Sequence, residues 1–373
     1  MTTPKTYLTA LTALFILLTC NVVVMSQAQT PTAQEIVKKM AERYATLSSY
    51  QDCGVVETVT EGPLARRGTD VAFKTHFTRP NKLRFEWLEY SSVPSVEKNA
   101  VWSDGTKAFS FYSWDPESVK TKEDLSMAVA GATGVSRSSA HTVPALLTEE
   151  IGGFSLTELA KLTLKKREVF EGEDCYVVQG FHPNGEAWQL WISTKDFLLR
   201  KFRSPSLEDE FTEEIHREIK VDGKIAAETY QPKVANGRIA NVISKEKETD
   251  VRKLLTFVVP RERINDQMND VVKLLKAGWP QVTEKVWQEV FAEVRFDTDA
   301  VLEIYLSIYD WHYSHDEIKQ LLNLYESPFG QKFSRSEELV QFEATSRGIA
   351  IGIELGKRIQ ERLKAKGYKS AAE

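Results

Sequence analysis

The hydrophobic period of this chain changes once along its length, and that change limits the folds that the chain can adopt. From Cys53 to Tyr230, apolar and polar residues alternate in short runs, which is the period of strands with one buried face. Turn signals such as Asp104-Gly105 and Asn184-Gly185 separate the runs, and turns of this kind join antiparallel neighbours. The sequence therefore predicts an antiparallel sheet in this part of the chain, without parallel crossover units.

One stretch, from Leu125 to Leu147, interrupts the alternation with small residues and two glycines. A strongly curved or incompletely closed sheet exposes its inward apolar face, which needs a cover. Two segments are available for this role: the stretch itself, and a helix that begins at the capping box of Thr32 and Glu35. We therefore predict an incomplete barrel closed by a helical lid. The insert residues expected to point inward are Leu125, Met127, Val129, Val143 and Leu146.

Beyond a charged segment between Val234 and Asp250, apolar residues recur at helical spacing. A second capping box, at Ser314 and Glu317, starts one of these helices. The predicted fold class is therefore α+β, with an N-terminal curved antiparallel sheet and a C-terminal all-α helical bundle. The predicted division is a leader at 1–28, a barrel domain at 29–234, a linker at 235–262 and the bundle at 263–373.

The last predicted helix carries Gly348, Gly352 and Gly356 on one stripe. Glycine inside a helix costs roughly 0.5 to 1 kcal/mol relative to alanine, so three glycines at this spacing predict the close approach of a neighbouring helix. On that basis, Gly352→Leu is expected to destabilise the helical domain.

The N-terminus has the order of a secretory leader. Lys5 precedes an apolar run from Tyr7 to Met25, and Ser26-Gln27-Ala28 follows with small residues at both ends. We predict export to the periplasm or the exterior, with cleavage after Ala28. A lipoprotein form cleaved before Cys20 and an uncleaved membrane anchor are the alternatives.

Only Cys53 and Cys175 remain after such processing. An oxidising compartment permits a disulfide between them, and two separate buried thiols are the alternative. The net charge of −5 offers no basic surface to a polyanion, which excludes nucleic acid as an expected partner.

Two groups of residues have the types found in catalytic or metal sites. Ser138, Ser139 and His141 are close in sequence, but a turn explains them better, because the glycine-flanked nucleophile pattern is absent. The second group combines histidine and aspartate, and a solvated loop between helices explains it better than a metal site. Its members are Asp310, His312, His315 and Asp316. Since the sequence also has no phosphate-binding glycine loop and no dinucleotide fingerprint, we expect no enzyme activity, no cofactor and no metal.

Aromatic residues are concentrated in the predicted strands, where large apolar side chains either fill a core or line a ligand cavity. Composition alone favours a core. For a cavity, the expected lining from the sheet is Phe73, Phe77, Phe85, Trp87, Trp188 and Leu190, joined by the five insert residues named above.

The run from Thr78 to Trp87, TRPNKLRFEW, resembles the second-to-third strand region of the periplasmic lipoprotein carrier and receptor family, LolA and LolB. The resemblance is stronger to the uncharacterised exported proteins with this fold than to the carriers themselves. Leu190–Ser193 with Leu198–Lys201 resembles a later hairpin of that family. The likeness covers about residues 33 to 232. It implies an incomplete barrel around an apolar cavity, closed by helices, that binds lipid chains. The resemblance does not place the carriers' lid-pairing arginine on any one residue of this chain, and Arg84 is a candidate by position alone.

These features predict an exported, non-enzymatic protein that binds a lipid or another apolar ligand in a barrel cavity, with a role in lipid or lipoprotein handling in the cell envelope. In the helical domain, Tyr325 to Lys332 resembles a domain family of unknown function from exported bacterial proteins, and this domain is expected to dock a partner protein. The alternative is an envelope structural or protein-interaction module with a packed barrel core and a helical docking domain.

Overall fold

The computed structural model of the chain describes residues 30–61, 66–90, 96–115, 119–207, 210–231, 234–235, 238–239, 243–293 and 297–366. The predicted leader at 1–28, with Cys20, lies outside these residues. The described chain has a sheet with its covering helices up to Tyr230, and a helical region that begins at Lys245.

Eleven described strands form one curved, unclosed sheet in which every neighbouring pair is antiparallel. Their order is β6-β5-β4-β3-β2-β1-β11-β10-β9-β8-β7, so the first and last strands pair with each other at the centre of the sheet. The strands are β1 (Ser49–Thr60), β2 (Arg66–Thr78), β3 (Lys82–Tyr90), β4 (Val96–Asp104), β5 (Ala108–Phe111), β6 (Lys120–Lys122), β7 (Ala160–Phe170), β8 (Glu173–Phe181), β9 (Ala187–Ser193), β10 (Leu199–Leu207) and β11 (Glu210–Val221). The predicted α+β class and the incomplete barrel are confirmed. A separate two-stranded ribbon, β12 (Val234–Ala235) and β13 (Arg238–Ile239), follows the sheet.

The first described helix, α1 (Ala33–Thr46), begins where its capping box predicts. The Glu35 amide donates to the Thr32 hydroxyl at 3.2 Å, and the Thr32 amide donates to the Glu35 carboxylate at 2.7 Å. Ile36 and Tyr44 share the apolar face of this helix and are fully buried in the barrel core. The helix therefore closes part of the concave side of the sheet.

The insert connects the two edge strands of the sheet, since it leaves β6 and leads into β7. It contains the helices α2 (Leu125–Thr133) and α3 (Thr142–Leu147), followed by a single 3-10 turn at Leu156–Glu158. The Asp124 side chain caps α2 by accepting from the Met127 amide at 2.8 Å. The insert is therefore placed across the gap that the unclosed sheet leaves between its edges.

Six described helices form the C-terminal region: α4 (Lys245–Val258), α5 (Arg261–Gly278), α6 (Glu284–Glu293), α7 (Thr298–His312), α8 (His315–Glu326) and α9 (Pro328–Ala365). The predicted linker at 235–262 contains α4, whose Val251 and Leu254 are fully buried in a core shared with α7 and α8. The helical region therefore begins earlier than predicted, because a few apolar residues among many charged ones are enough to bury one face of a helix. Among the residues that the structure describes, no helix combines the length and hydrophobicity needed to cross a bilayer.

The helical region contacts the convex face of the sheet through the end of α7. Trp311 is 7% exposed and packs against Ala72 and Leu88. Beside it, the Asp310 carboxylate accepts from the Lys98 ammonium at 2.7 Å. The Lys74 ammonium of β2 also donates to the Trp311 carbonyl and lies 4.6 Å from the centroid of the Trp311 ring. Packing, an ion pair and a hydrogen bond therefore join the two regions at this point.

The expected helix neighbour of the glycine stripe is absent from the described residues. A Cβ atom built on Gly348, Gly352 or Gly356 would meet no described atom within 4 Å. The prediction that Gly352→Leu destabilises the helical domain is therefore wrong, because among the described residues a leucine at this position would have open space.

Both cysteines are free, so the possible Cys53–Cys175 disulfide is not formed. Cys53 lies on β1 and Cys175 on β8, with β11, β10 and β9 between them. Four steps at about 4.8 Å separate these strands by roughly 19 Å, whereas a disulfide needs Cα atoms within about 7 Å. Burial raises the pKa of each thiol to about 11.

Candidate functional site

The helices α2 and α3 cover the barrel and bury one face against it. Leu125, Val129 and Val143 are at most 2% exposed, and Leu146 is 8% exposed. Met127 is 54% exposed, so its expected inward orientation is wrong. The stretch is a helix, in which residues four apart share a face, and residue 127 therefore lies on the side opposite to Leu125 and Val129.

The predicted aromatic residues of the sheet come together on its concave face. Phe73, Phe77, Phe85, Trp87 and Leu190 are each at most 1% exposed and belong to one continuous core with the cover and α1. The ring centroids of Phe73 and Phe85 are 5.7 Å apart, and those of Phe85 and Trp87 are 5.8 Å apart. The side chains in this part of the interior are therefore packed against one another in this structure.

A cavity of about 440 Å³ lies beside this core, between the cover and the β8–β11 side of the sheet. Trp188, a predicted ligand residue, lines it together with Phe154 and Phe202. The Trp188 ring centroid is 5.5 Å from that of Phe154 and 4.9 Å from that of Phe202. The polar side of the lining consists of Thr133, Arg137, Ser138, His141, Thr142, His182, Glu186, Ser204, Ser206 and Thr212. The cavity is thus amphipathic, with an aromatic wall and a polar rim.

Sequence reasoning missed Phe154 and Phe202 as lining residues. Phe202 lies in a strand that the alternation predicts, so its face was available as a signal. Phe154 lies between the insert and β7, outside any periodic segment, and no sequence pattern indicates its position.

An ionic cluster is buried in the interior, next to the cavity. His216 lies between two carboxylates, with its Nδ1 2.7 Å from Asp52 Oδ2 and its Nε2 3.1 Å from Glu214 Oε1. The Tyr50 hydroxyl donates to Asp52 at 2.8 Å, and the Thr142 hydroxyl of the cover donates to Glu214. The exposed fraction of each of the three charged residues is 6% or less. The cover is therefore hydrogen-bonded to a charged cluster on the barrel wall.

Burial and charge act in opposite directions on this cluster. Burial by itself lowers the pKa of His216, but the hydrogen bonds and charges of Asp52 and Glu214 outweigh it and raise the pKa to about 9. Burial, followed by the charge of Asp52, raises the pKa of Tyr50 well above its usual value. His216 is therefore an imidazolium at neutral pH. Within the described residues, Asp52 Oδ1, Glu214 Oε2 and His216 Nε2 have no hydrogen bond of good geometry, so the 3.1 Å contact of His216 Nε2 with Glu214 acts as an ion pair.

The face of β11 that points into the barrel is the charged one. Along this strand the apolar Phe211 and Ile215 alternate with Glu214 and His216, and Glu214 and His216 are the pair that points inward. The partner of His216, Asp52, is 164 residues away along the chain. Hydrophobicity alone therefore could not identify the inward face of this strand.

Arg79 ties the cover to α1. Its guanidinium donates to the carbonyls of Leu47 at 2.9 Å, Tyr44 at 3.1 Å and Leu147 at 3.2 Å. The first two carbonyls lie at the end of α1 and the third ends α3, so one side chain satisfies carbonyl groups at two helix ends. The positional assignment of the lid-pairing role to Arg84 is wrong, because Arg84 forms an ion pair within β3 at 2.6 Å.

Four of the other polar groups singled out in the sequence, Ser139, His141, Asp310 and His315, have structural partners. His141 Nε2 lies 2.6 Å from the Gly152 carbonyl oxygen, and the Ser139 hydroxyl donates to a carbonyl in its own turn at 2.6 Å. Asp310 is held by lysine side chains, and His315 Nε2 lies 2.7 Å from an Asp250 oxygen. Within the described ranges, no three His, Cys, Asp or Glu side chains are grouped so as to hold a metal ion.

Residues 299–362 match the model of an uncharacterized protein family conserved in bacteria, DUF2059. No curated protein matches the chain. Solved structures with a similar fold cover the N-terminal part. A LolA superfamily protein from Nitrosomonas europaea is 15% identical, with 54% of this chain and 98% of that chain covered and a TM-score of 0.27. A DUF1329 family protein from Desulfovibrio piger is 13% identical, with coverages of 53% and 95% and a TM-score of 0.29. An uncharacterized conserved protein from Thermus thermophilus is 10% identical, with coverages of 55% and 96% and a TM-score of 0.34. These likenesses are ones of fold and carry over no activity.

Proposed function

We propose that the barrel domain is a non-enzymatic binding module for an amphiphile with an acyl chain, held in the cavity between the cover and the β8–β11 side of the sheet. The observation that carries this proposal is the aromatic wall of Phe154, Trp188 and Phe202 around a volume of about 440 Å³. Pockets for small ligands have volumes of about 300 to 1,000 Å³ and combine an apolar wall with a few polar groups. The size and the lining of this cavity both fit that class.

The two sides of the cavity suit the two ends of such a ligand. Apolar burial contributes roughly 25 cal/mol per Å², so a hydrocarbon chain against the aromatic wall binds without any specific polar contact. Arg137, His141 and His182 lie on the polar rim, where an anionic or hydrogen-bonding head group would be placed. We therefore expect a single-chain anionic amphiphile to bind more tightly than a neutral hydrocarbon.

The cover controls how much of the interior a ligand can reach. It is attached by few polar contacts: Arg79 to the Leu147 carbonyl, Thr142 to Glu214, and the Asn81 amide to the Glu150 carboxylate at 2.9 Å. Each of these hydrogen bonds involves a charged group and contributes about 1.5 to 3 kcal/mol net. A ligand that displaces the cover must therefore replace both these polar contacts and the apolar contacts of the cover. The residues beneath the cover then become part of the binding surface.

Binding is tested with protein purified without detergent and examined by native mass spectrometry, followed by titration with a fluorescent fatty acid. Trp188→Ala removes the centre of the aromatic wall and is expected to weaken binding about tenfold or more. Leu146→Asp places a charge under the cover and is expected to abolish uptake, whereas Met127→Asp changes an exposed residue of the same insert and serves as the matched control. Circular dichroism checks that each variant is folded.

The second candidate function is a protein-interaction module whose barrel has a packed core. It is favoured by the near-complete burial of Phe73, Phe77, Phe85 and Trp87 in one continuous core. The two functions differ in outcome. Absence of co-purifying lipid, absence of fatty-acid uptake, and identical behaviour of Trp188→Ala and the native chain would contradict lipid binding and support this second function.

A further inference from the structure

The C-terminal half of α9 presents a large apolar face that no described residue covers. Four of its apolar side chains lie within about 60° of one direction around the helix and are between 46% and 60% exposed: Ile349, Leu355, Ile359 and Leu363. At roughly 100 Å² for each, this face exposes on the order of 400 Å² of apolar surface. A patch of about 300 to 600 Å² is the size of the largest apolar patch on a typical soluble monomer, and such patches are often functional. The face therefore has the character of an interface.

The shape of this face suits another helix. At about 100° per residue, Gly348, Gly352 and Gly356 form a shallow stripe along its centre, and Ile349 and Ile359 lie close beside the stripe. The described structure leaves open space over all three glycines, so nothing within the described chain uses the stripe. Glycine disfavours a helix interior, and a stripe of glycines becomes favourable when a second helix backbone approaches it closely.

A groove continues this face toward the N-terminal end of α9. Its volume is about 730 Å³, and it runs between α9 and the ends of α4 and α8. Phe257 and Tyr325 line it from these two helices, while Gln341, Phe342 and Thr345 line it from α9. The same side of α9 therefore has a groove at one end and a glycine stripe with projecting Ile359 and Leu363 at the other.

We propose that α9 pairs antiparallel with α9 of a second copy of this chain, about a two-fold axis at Gly352. An interface made by one patch with itself is the common form of a homodimer. Specific interfaces bury about 800 Å² per partner, of which a little over half is apolar, so about 400 Å² of apolar surface on each copy is close to what such an interface uses. In this register, Gly348 of one copy faces Gly356 of the other. The projecting Leu363 then enters the groove of the second copy near Gln341.

The distribution of charge favours the antiparallel orientation. Glu337 lies on the groove end of the interface side of α9, and Lys366 lies on the same side at the opposite end. The antiparallel register brings these two residues of different copies together at both ends of the pair, whereas a parallel pair places like charges beside each other. Arg263 and Arg335 also line the groove, at its rim.

The first test is the mass of the protein, purified without its predicted leader, as a function of concentration by sedimentation velocity. A monomer–dimer equilibrium is expected. Gly352→Leu is expected to weaken dimerisation about tenfold or more, because it holds the two helices apart, while its monomer keeps native helicity because the position is open. Ala350→Leu adds a leucine to the opposite, exposed face of the same helix and is expected to leave the dimer unchanged.

The second test is the register of the pair by oxidative cross-linking. Gly352→Cys is expected to cross-link with itself, whereas Gly348→Cys is expected to cross-link only when it is mixed with Gly356→Cys. Glu337→Lys is expected to weaken the dimer, and the double variant with Lys366→Glu is expected to restore it. A chain that is monomeric at every concentration, or a dimer whose mass and cross-links are unaffected by Gly352→Leu, would overturn the proposal. Cross-linking of Gly348→Cys with itself would overturn the antiparallel register.

Discussion

Replacing His216 with glutamine tests whether the buried ionic cluster stabilises the barrel. His216 has a pKa of about 9 in the folded chain, compared with about 6.5 in an unfolded chain. Because the folded state holds the proton more tightly, the stabilisation is fully present below about pH 6.5 and is lost as the pH rises through about 9. A difference of about 2.5 pKa units corresponds to about 3 kcal/mol.

The assay is urea unfolding of the barrel domain, followed by tryptophan fluorescence at about pH 6 and at about pH 9. The native chain is expected to lose about 3 kcal/mol of unfolding free energy between these conditions. His216→Gln is expected to be less stable by about 3 to 5 kcal/mol at the lower pH, because Asp52 and Glu214 lose the positive charge between them, and to show no further loss at the higher pH.

His76→Gln is the matched control. Burial lowers the pKa of His76, so its contribution to the unfolding free energy has the opposite sign to that of His216 and increases as the pH rises. The control variant is expected to keep the loss of stability between the two pH values. Equal unfolding free energies of the native chain at both pH values, or the same loss in His216→Gln, would refute the assignment of a buried imidazolium.

Three further outcomes are expected. Arg79→Ala removes the hydrogen bonds at the ends of α1 and α3, so hydrogen exchange of the α3 amides is expected to accelerate about tenfold or more. Unchanged exchange would mean that packing alone holds the cover. Trp311→Ala is expected to reduce the unfolding free energy by about 3 kcal/mol and to separate the unfolding of the two regions. Trp279→Ala is the control: this side chain is 55% exposed, and its removal is expected to change the unfolding free energy by about 0.5 kcal/mol or less. The thiols of Cys53 and Cys175 are expected to react with an alkylating agent only after denaturation, and a melting temperature lowered by a reducing agent would contradict their free state.

The location of strands and helices follows from local patterns that the sequence contains. The alternation from Cys53 onward predicts the strands, and the capping boxes at Thr32 and Ser314 predict two helix starts that the structure confirms. The interruption at Leu125–Leu147 predicts a separate cover. These features depend on neighbours within a few residues, so a sequence is enough to find them.

The failures of sequence reasoning concern which way individual side chains point. The sequence predicts Met127 to point inward together with Leu125 and Val129, but the insert is helical and turns this side chain to the surface. On β11, Ile215 is the apolar residue, yet it is the charged Glu214 and His216 that point into the barrel. In each case the orientation depends on a partner or a local conformation that hydrophobicity does not report.

The sequence by itself therefore determined the α+β class, the unclosed antiparallel sheet and the covering role of the insert, because periodicity and turn chemistry are local. Only the tertiary structure decided what lies beneath the cover: a packed aromatic core, a cavity beside it and a charged cluster joined to the cover. The pairing of β1 with β11 brings Asp52 to His216 across 164 residues of chain, and the curvature of the sheet brings Phe154, Trp188 and Phe202 around one volume. Such contacts arise from long-range pairing, and no short segment of the sequence contains them.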